Sequence, residues 1–188
     1  MIRNGRTDFG WVTILLHWVI ALLIVGLIAL GFIMVRTAVD PALQFSLYQW
    51  HKSFGLTALL LAVIRLVWRL ANRIPAPVNG LTRFESRSAS AMHLVLLALT
   101  LIVPLAGWAL ASTSTLGIPT LLFDRILIPH LPLAKSAEAE GFWTSAHMLL
   151  AYGLLALVAL HAGAALYHHI VRRDRVLKRI LFSPSRES

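Results

Sequence analysis

An apolar run from Gly141 to Val171 contains no Asp, Glu, Lys or Arg, yet it holds four histidines: His147, His161, His168 and His169. It is longer than the roughly 20 residues an α-helix needs to cross bilayer hydrocarbon. A polar ring at that depth is costly and needs a partner. Fourteen residues separate His147 from His161. On a helix this puts the two rings about 40° apart in azimuth and roughly 21 Å apart along the axis. His168 follows seven residues later, about 20° off the same stripe and roughly 10 Å further along, whereas His169 turns about 100° away. Three imidazoles therefore form one file down a membrane helix.

Only 13% of the 188 residues are charged, about half the share in soluble domains. Four spans can be drawn, at about residues 11–35, 47–71, 89–111 and 142–171, which makes the chain an all-α, four-transmembrane-helix bundle. The first run is far longer than the roughly 7–15 apolar residues of a signal peptide, so it is expected to be a retained span. Pro104 is expected to bend the third span. Residues 112–140 form an outer loop and 172–188 a basic tail. The net charge of +9 would suggest nucleic acid in a soluble chain. Here the bases flank apolar runs, as orientation signals and lipid-headgroup contacts do. Thirteen Lys and Arg fall on the side of the two termini and four (Arg36, Lys52, Arg125 and Lys135) on the other. This count predicts both termini in the cytoplasm. The absence of Cys excludes disulfides, thiol catalysis and Fe–S ligation by this chain.

Orientation gives each histidine a depth. His51 and His147 both lie a few residues inside the outer edge of their spans and can meet. His17, near the inner edge of span one, comes within reach of the same large ligand as His161. His93 and His168 are expected lower still, as a couple at the inner interface. Paired imidazoles facing each other at two depths suit two haems, each with one ligand above and one below its plane. Gly55 and Ala151 lie one turn beyond His51 and His147 on the ligand faces, leaving room for a flat macrocycle. Arg65 shares the face of His51 near the inner level, where a haem propionate would balance its charge; alternatively it snorkels to headgroups. Against haem stand simple helix–helix hydrogen bonds and zinc, which would need about four ligands converging at one point rather than two depths. His130 reads as a surface residue and His169 as interfacial.

In order along the chain, Leu16-His17-Trp18, His51 with Gly55, Arg65 through Arg69, His93, Trp143 through His147, Leu160-His161-Ala162 and Tyr167-His168-His169 before a basic tail resemble the bacterial cytochrome b561 family. The resemblance implies two b-type haems on His17, His51, His147 and His161, the same four residues that depth selects. It also implies electron transfer between the quinone pool and an outer partner. Superoxide oxidation with ubiquinone as acceptor is ascribed to this family, and Lys52 beside His51 offers a local positive charge to such an anion. Related four-span cytochromes anchor dehydrogenase or hydrogenase subunits, which gives an alternative with a redox partner subunit; a haem or metal carrier without turnover is a third reading. Quinone reduction takes protons as well as electrons. His93 and His168, left over from ligation, are the expected quinone site, since imidazole exchanges protons near neutrality. Arg172, or Arg83 and Arg87 entering span three, would stabilise the reduced oxygen.

Overall fold

The computed structural model describes residues 1–36, 40–78 and 80–181; Arg186 and the rest of 182–188 lie outside the described residues. Four helices follow from the four apolar runs: α1 (Trp11–Arg36), α2 (Pro41–Leu70), α3 (Arg83–Thr113) and α4 (Ala137–Ile170). All four are long and apolar enough to span a membrane. Their starts differ from the expected spans. α2 begins six residues before position 47, α3 six before 89 and α4 five before 142. Local capping chemistry explains each shift. Asp40 accepts from the Ala42 and Leu43 N–H groups with Pro41 at the first helical position, where a missing N–H costs nothing. Thr82 and Glu85 form a reciprocal capping box ahead of α3. Ser136 accepts from the Ala139 N–H ahead of α4. Hydropathy marks where hydrocarbon begins, whereas these caps mark where the helix begins, so α3 and α4 open on polar turns.

Between α3 and α4 lies an antiparallel hairpin of β1 (Thr120–Leu122) and β2 (Ile126–Ile128). Phe123 and Asp124 at its tip have φ of 50° and 58°, the sign a type I′ turn requires at both central positions. Phe is poorly suited to that region, and contacts with α2 hold it there. Its ring packs 5.4 Å from Phe54 and 6.1 Å from Trp50 between centroids, and its N–H donates to Ser53 Oγ at 2.9 Å. Gln49 Nε2 and Lys52 Nζ both donate to the Pro119 carbonyl, at 3.1 and 3.2 Å. The loop is thus fastened to α2 beside His51.

The N-terminal segment, the 71–82 connection and the C-terminal segment meet at the other end. Ala76 N–H donates to the Arg6 carbonyl at 2.8 Å, Asn4 Nδ2 to the Arg73 carbonyl at 2.9 Å and Arg179 to the Ala76 carbonyl at 3.0 Å. Trp18 on α1 donates to the Ile180 carbonyl at 2.9 Å, holding the short α5 (Lys178–Leu181) against the bundle. Arg172 pairs with Glu85 and donates to the Gly80 carbonyl at 3.2 Å. The bundle therefore has a hairpin end and a termini end. Ile20, Ile24, Val103 and Leu154 form its buried core cluster. Leu154 lies seven residues from both His147 and His161, so this apolar layer falls between the two histidine levels.

Candidate haem sites

At the hairpin end, α2 and α4 bring His51 and His147 together with ring centroids 6.1 Å apart and planes at 90°. His147 is set by α3: its Nδ1 lies 3.0 Å from the Val103 carbonyl. A carbonyl only accepts, so Nδ1 carries the proton and donates, leaving the Nε2 lone pair free. Gly107 makes this approach possible. A Cβ there would lie 3.0 Å from Cε1 and 3.2 Å from Nδ1 of His147, tighter than ordinary van der Waals contact. A Cβ at Gly31 on α1 would lie 3.5 Å from His51 Cε1, an ordinary contact, so the requirement for glycine falls on Gly107. Gly107 was not selected from sequence, because it acts on a histidine of another helix. A small cavity beside the pair is lined by Lys52, Gly55, Pro104, Trp108 and Thr120 as well as the two histidines. A Cβ at Gly55 would meet nothing within 4 Å, so the face one turn beyond His51 is open. Among the described residues, the polar atoms buried at this end without protein partners include His51 Nδ1 and Thr120 Oγ1, both beside this cavity, as well as Gln49 Oε1 and His130 Nε2.

Toward the termini end all four helices contribute. His17 and His161 have centroids 6.4 Å apart at 66°. The His93 ring on α3 also packs against His161, with centroids 5.3 Å apart at 74°. Arg65 reaches in from α2, its Nη2 3.3 Å from His17 Nδ1. This corrects the expected depth of His93, which packs at the level of His161 and not below it. The expectation counted four residues from a start at 89, whereas α3 starts at Arg83 and His93 lies ten residues in.

His168 has a different partner. Its Nδ1 is 2.5 Å from Asp174 Oδ2. Arg173, at φ 53°, turns the chain so that Asp174 N–H also donates to the His168 carbonyl at 3.1 Å. His93 and His168 therefore do not form the expected couple. Partial burial pushes the Asp174 carboxyl up, but the Val176 N–H, the hydrogen bond and charge of His168 and the nearby Arg172 outweigh it and hold the group below its ordinary value. Arg172 is already paired with Glu85, which removes it from the role of a free cation for a reduced quinone. His130 and His169 are both partly buried, each with one ring nitrogen shielded from solvent.

The donor set can be tested against a bis-histidine metal. An imidazole nitrogen binds a first-row ion at about 2 Å, and the ring centre lies about 1 Å further back, so opposed rings on one ion have centres roughly 6 Å apart. The separations of 6.1 and 6.4 Å meet that requirement. Among the described residues no three His, Cys, Asp or Glu side chains converge as a metal cage, which disfavours a zinc site. The residues fit haem iron held between two imidazoles.

A bundle of four helices able to span a membrane, with facing histidine pairs at two levels, defines a class: a multi-pass helical membrane protein whose paired imidazoles are spaced as ligands of a metal group. Residues 8–183 match the prokaryotic cytochrome b561 family, and the chain belongs to it. It is 28% identical over 178 residues to cytochrome b561 homolog 2 of Escherichia coli K12, covering 95% of this chain and 93% of that one. It is 29% identical over 166 residues to a probable superoxide oxidase, CybB, of Yersinia pestis, covering 88% and 91%. Proteins of this family bind b-type haem and transfer electrons in membranes. This chain is accordingly a multi-pass membrane electron-transfer protein.

Proposed function

We propose that the protein carries electrons across the bacterial inner membrane from a periplasmic one-electron donor to ubiquinone, with superoxide as the donor. The observation that carries this reading is the pair of matched histidine couples, His51 with His147 and His17 with His161, at 6.1 and 6.4 Å. Each couple is assigned one b-type haem, which supplies reversible one-electron chemistry when bound. The basic termini end is assigned to the cytoplasm by the positive-inside rule. Reporters fused after Ser188 or near Asn79 are expected to read cytoplasmic and one near Lys135 periplasmic; the reverse pattern would place both reaction sites on the wrong sides.

At the outer end Lys52 lines the cavity beside His51 and His147 and offers a positive charge to a small anion. The attraction is local, because the four Lys and Arg of this side are matched by Asp40, Asp124, Glu138 and Glu140, so long-range steering contributes little. The name of the Yersinia relative supports superoxide as the donor. Two superoxide anions each give up one electron and leave as dioxygen, while one quinone takes two electrons and two protons. At the inner end His168, backed by Asp174, is assigned to deliver those protons. The test is stopped-flow mixing of purified protein with superoxide, followed by quinone. Rapid haem reduction and then reoxidation are expected; reduction absent at every superoxide concentration excludes this donor.

A further inference from the structure

The two ligand sets differ in a way that biases the direction of electron flow. Resting on the ligand assignment above, we infer that Arg65 and the Val103 carbonyl set the inner site at a higher reduction potential than the outer site. An electron entering from outside then runs downhill to the quinone end.

At the outer site the Nδ1–H of His147 donates to the Val103 carbonyl at 3.0 Å. An imidazole that donates in this way is more basic at its other nitrogen and a stronger ligand. It favours the oxidised, more positive iron and lowers the potential. The arrangement is built in by Gly107, because a Cβ there would press within 3.0 Å of the His147 ring. At the inner site the neighbour of His17 Nδ1 is a cation, the Arg65 guanidinium at 3.3 Å. Arg has only donors and keeps its charge, so here it donates to His17 Nδ1, which puts the ring proton on Nε2. Ligation through Nε2 would move that proton to Nδ1, leaving two donors face to face and none of the support that a carbonyl gives His147. A fixed positive charge beside the ligand also opposes the added charge of the oxidised iron and raises the potential. The cation nearest the outer pair, Lys52, directs its ammonium to the Pro119 carbonyl at 3.2 Å. That carbonyl offsets part of the Lys52 charge, whereas among the described residues no carboxylate or carbonyl is bonded to the Arg65 guanidinium.

The test is potentiometric titration followed by absorbance. The His161→Ala variant, retaining the outer haem, is expected to titrate at lower potential than His147→Ala, retaining the inner one. A tenfold bias in electron sharing corresponds to about 59 mV for one electron, and at least that separation is expected. Equal potentials or the reverse order overturn the inference. In the otherwise unaltered protein, Arg65→Gln should shift only the high-potential component downward by about tenfold in equilibrium constant, with Arg65→Lys restoring most of it. Gly107→Ala should shift only the low-potential component upward. Haem content is measured alongside. Two haems with potentials unmoved by Arg65→Gln defeat the inference and leave the ligand assignment standing; one haem in the parent protein defeats the assignment itself.

Discussion

Replacing His147 by Ala is expected to leave one haem per chain in place of two, and replacing His161 by Ala the same, with opposite haems lost. Each substitution removes one of two ligands and leaves a helix-favouring residue behind, so α4 itself should persist. The surviving pair is roughly 21 Å away along the helix, and Leu154 with its apolar neighbours lies between the two levels, so the sites should empty independently. A pyridine haemochrome assay reads the count directly, and one haem in the parent protein would end the scheme. The inner pair needs a second comparison because His161 has two imidazole neighbours. His17 lies at 6.4 Å, close to the spacing of rings opposed across one ion, whereas His93 at 5.3 Å is too near for that arrangement. His17→Ala should therefore cost the inner haem and His93→Ala should spare it. The opposite result exchanges their roles.

The histidine pairs were legible in the sequence because a membrane helix is a nearly uniform ruler. Rise per residue and the side of the membrane fix a depth, and depth matched His51 to His147 and His17 to His161. The ruler failed for His93, whose zero was set by hydropathy at 89 instead of by the Thr82–Glu85 capping box that starts α3 at Arg83. That signal was present as a Thr followed three residues later by Glu. Asp174 was harder to find. It reaches His168 only through the positive φ of Arg173, a conformation that an Arg does not advertise. The cradle of Gly107 and Val103 was out of reach for another reason: it belongs to the facing of α3 on α4, which no periodicity within one helix reveals. The outer loop showed its prolines and glycine, but its hairpin turns at Phe123-Asp124 and carries no Asn-Gly or Asp-Gly signature. Its anchors are Gln49, Lys52 and Ser53 on another element.

His168→Ala is expected to keep both haems bound and reducible from the outer side, while slowing their reoxidation by quinone about 10²-fold or more, the usual scale for a positioned proton donor. The expectation rests on what Asp174 does to the ring. Its carboxylate accepts from His168 Nδ1 at 2.5 Å, which fixes the orientation of the imidazole and leaves Nε2 to meet a quinone oxygen. Asp174→Asn keeps an acceptor at that position and loses the negative charge, so a smaller slowing is expected. The pH dependence has a defined sign. The folded-state value of Asp174 lies below its ordinary one, so its carboxylate contributes stability that is complete above the unfolded value and is lost as pH falls through the folded one. Hydrogen-exchange protection of the turn at 171–176 should therefore be constant through neutral pH and weaken on acidification below the ordinary carboxylate range. In Asp174→Asn that acid-dependent loss should disappear. Reoxidation at the parent rate in His168→Ala would move the quinone site elsewhere, and unchanged acid sensitivity in Asp174→Asn would show that the carboxylate does not hold the turn.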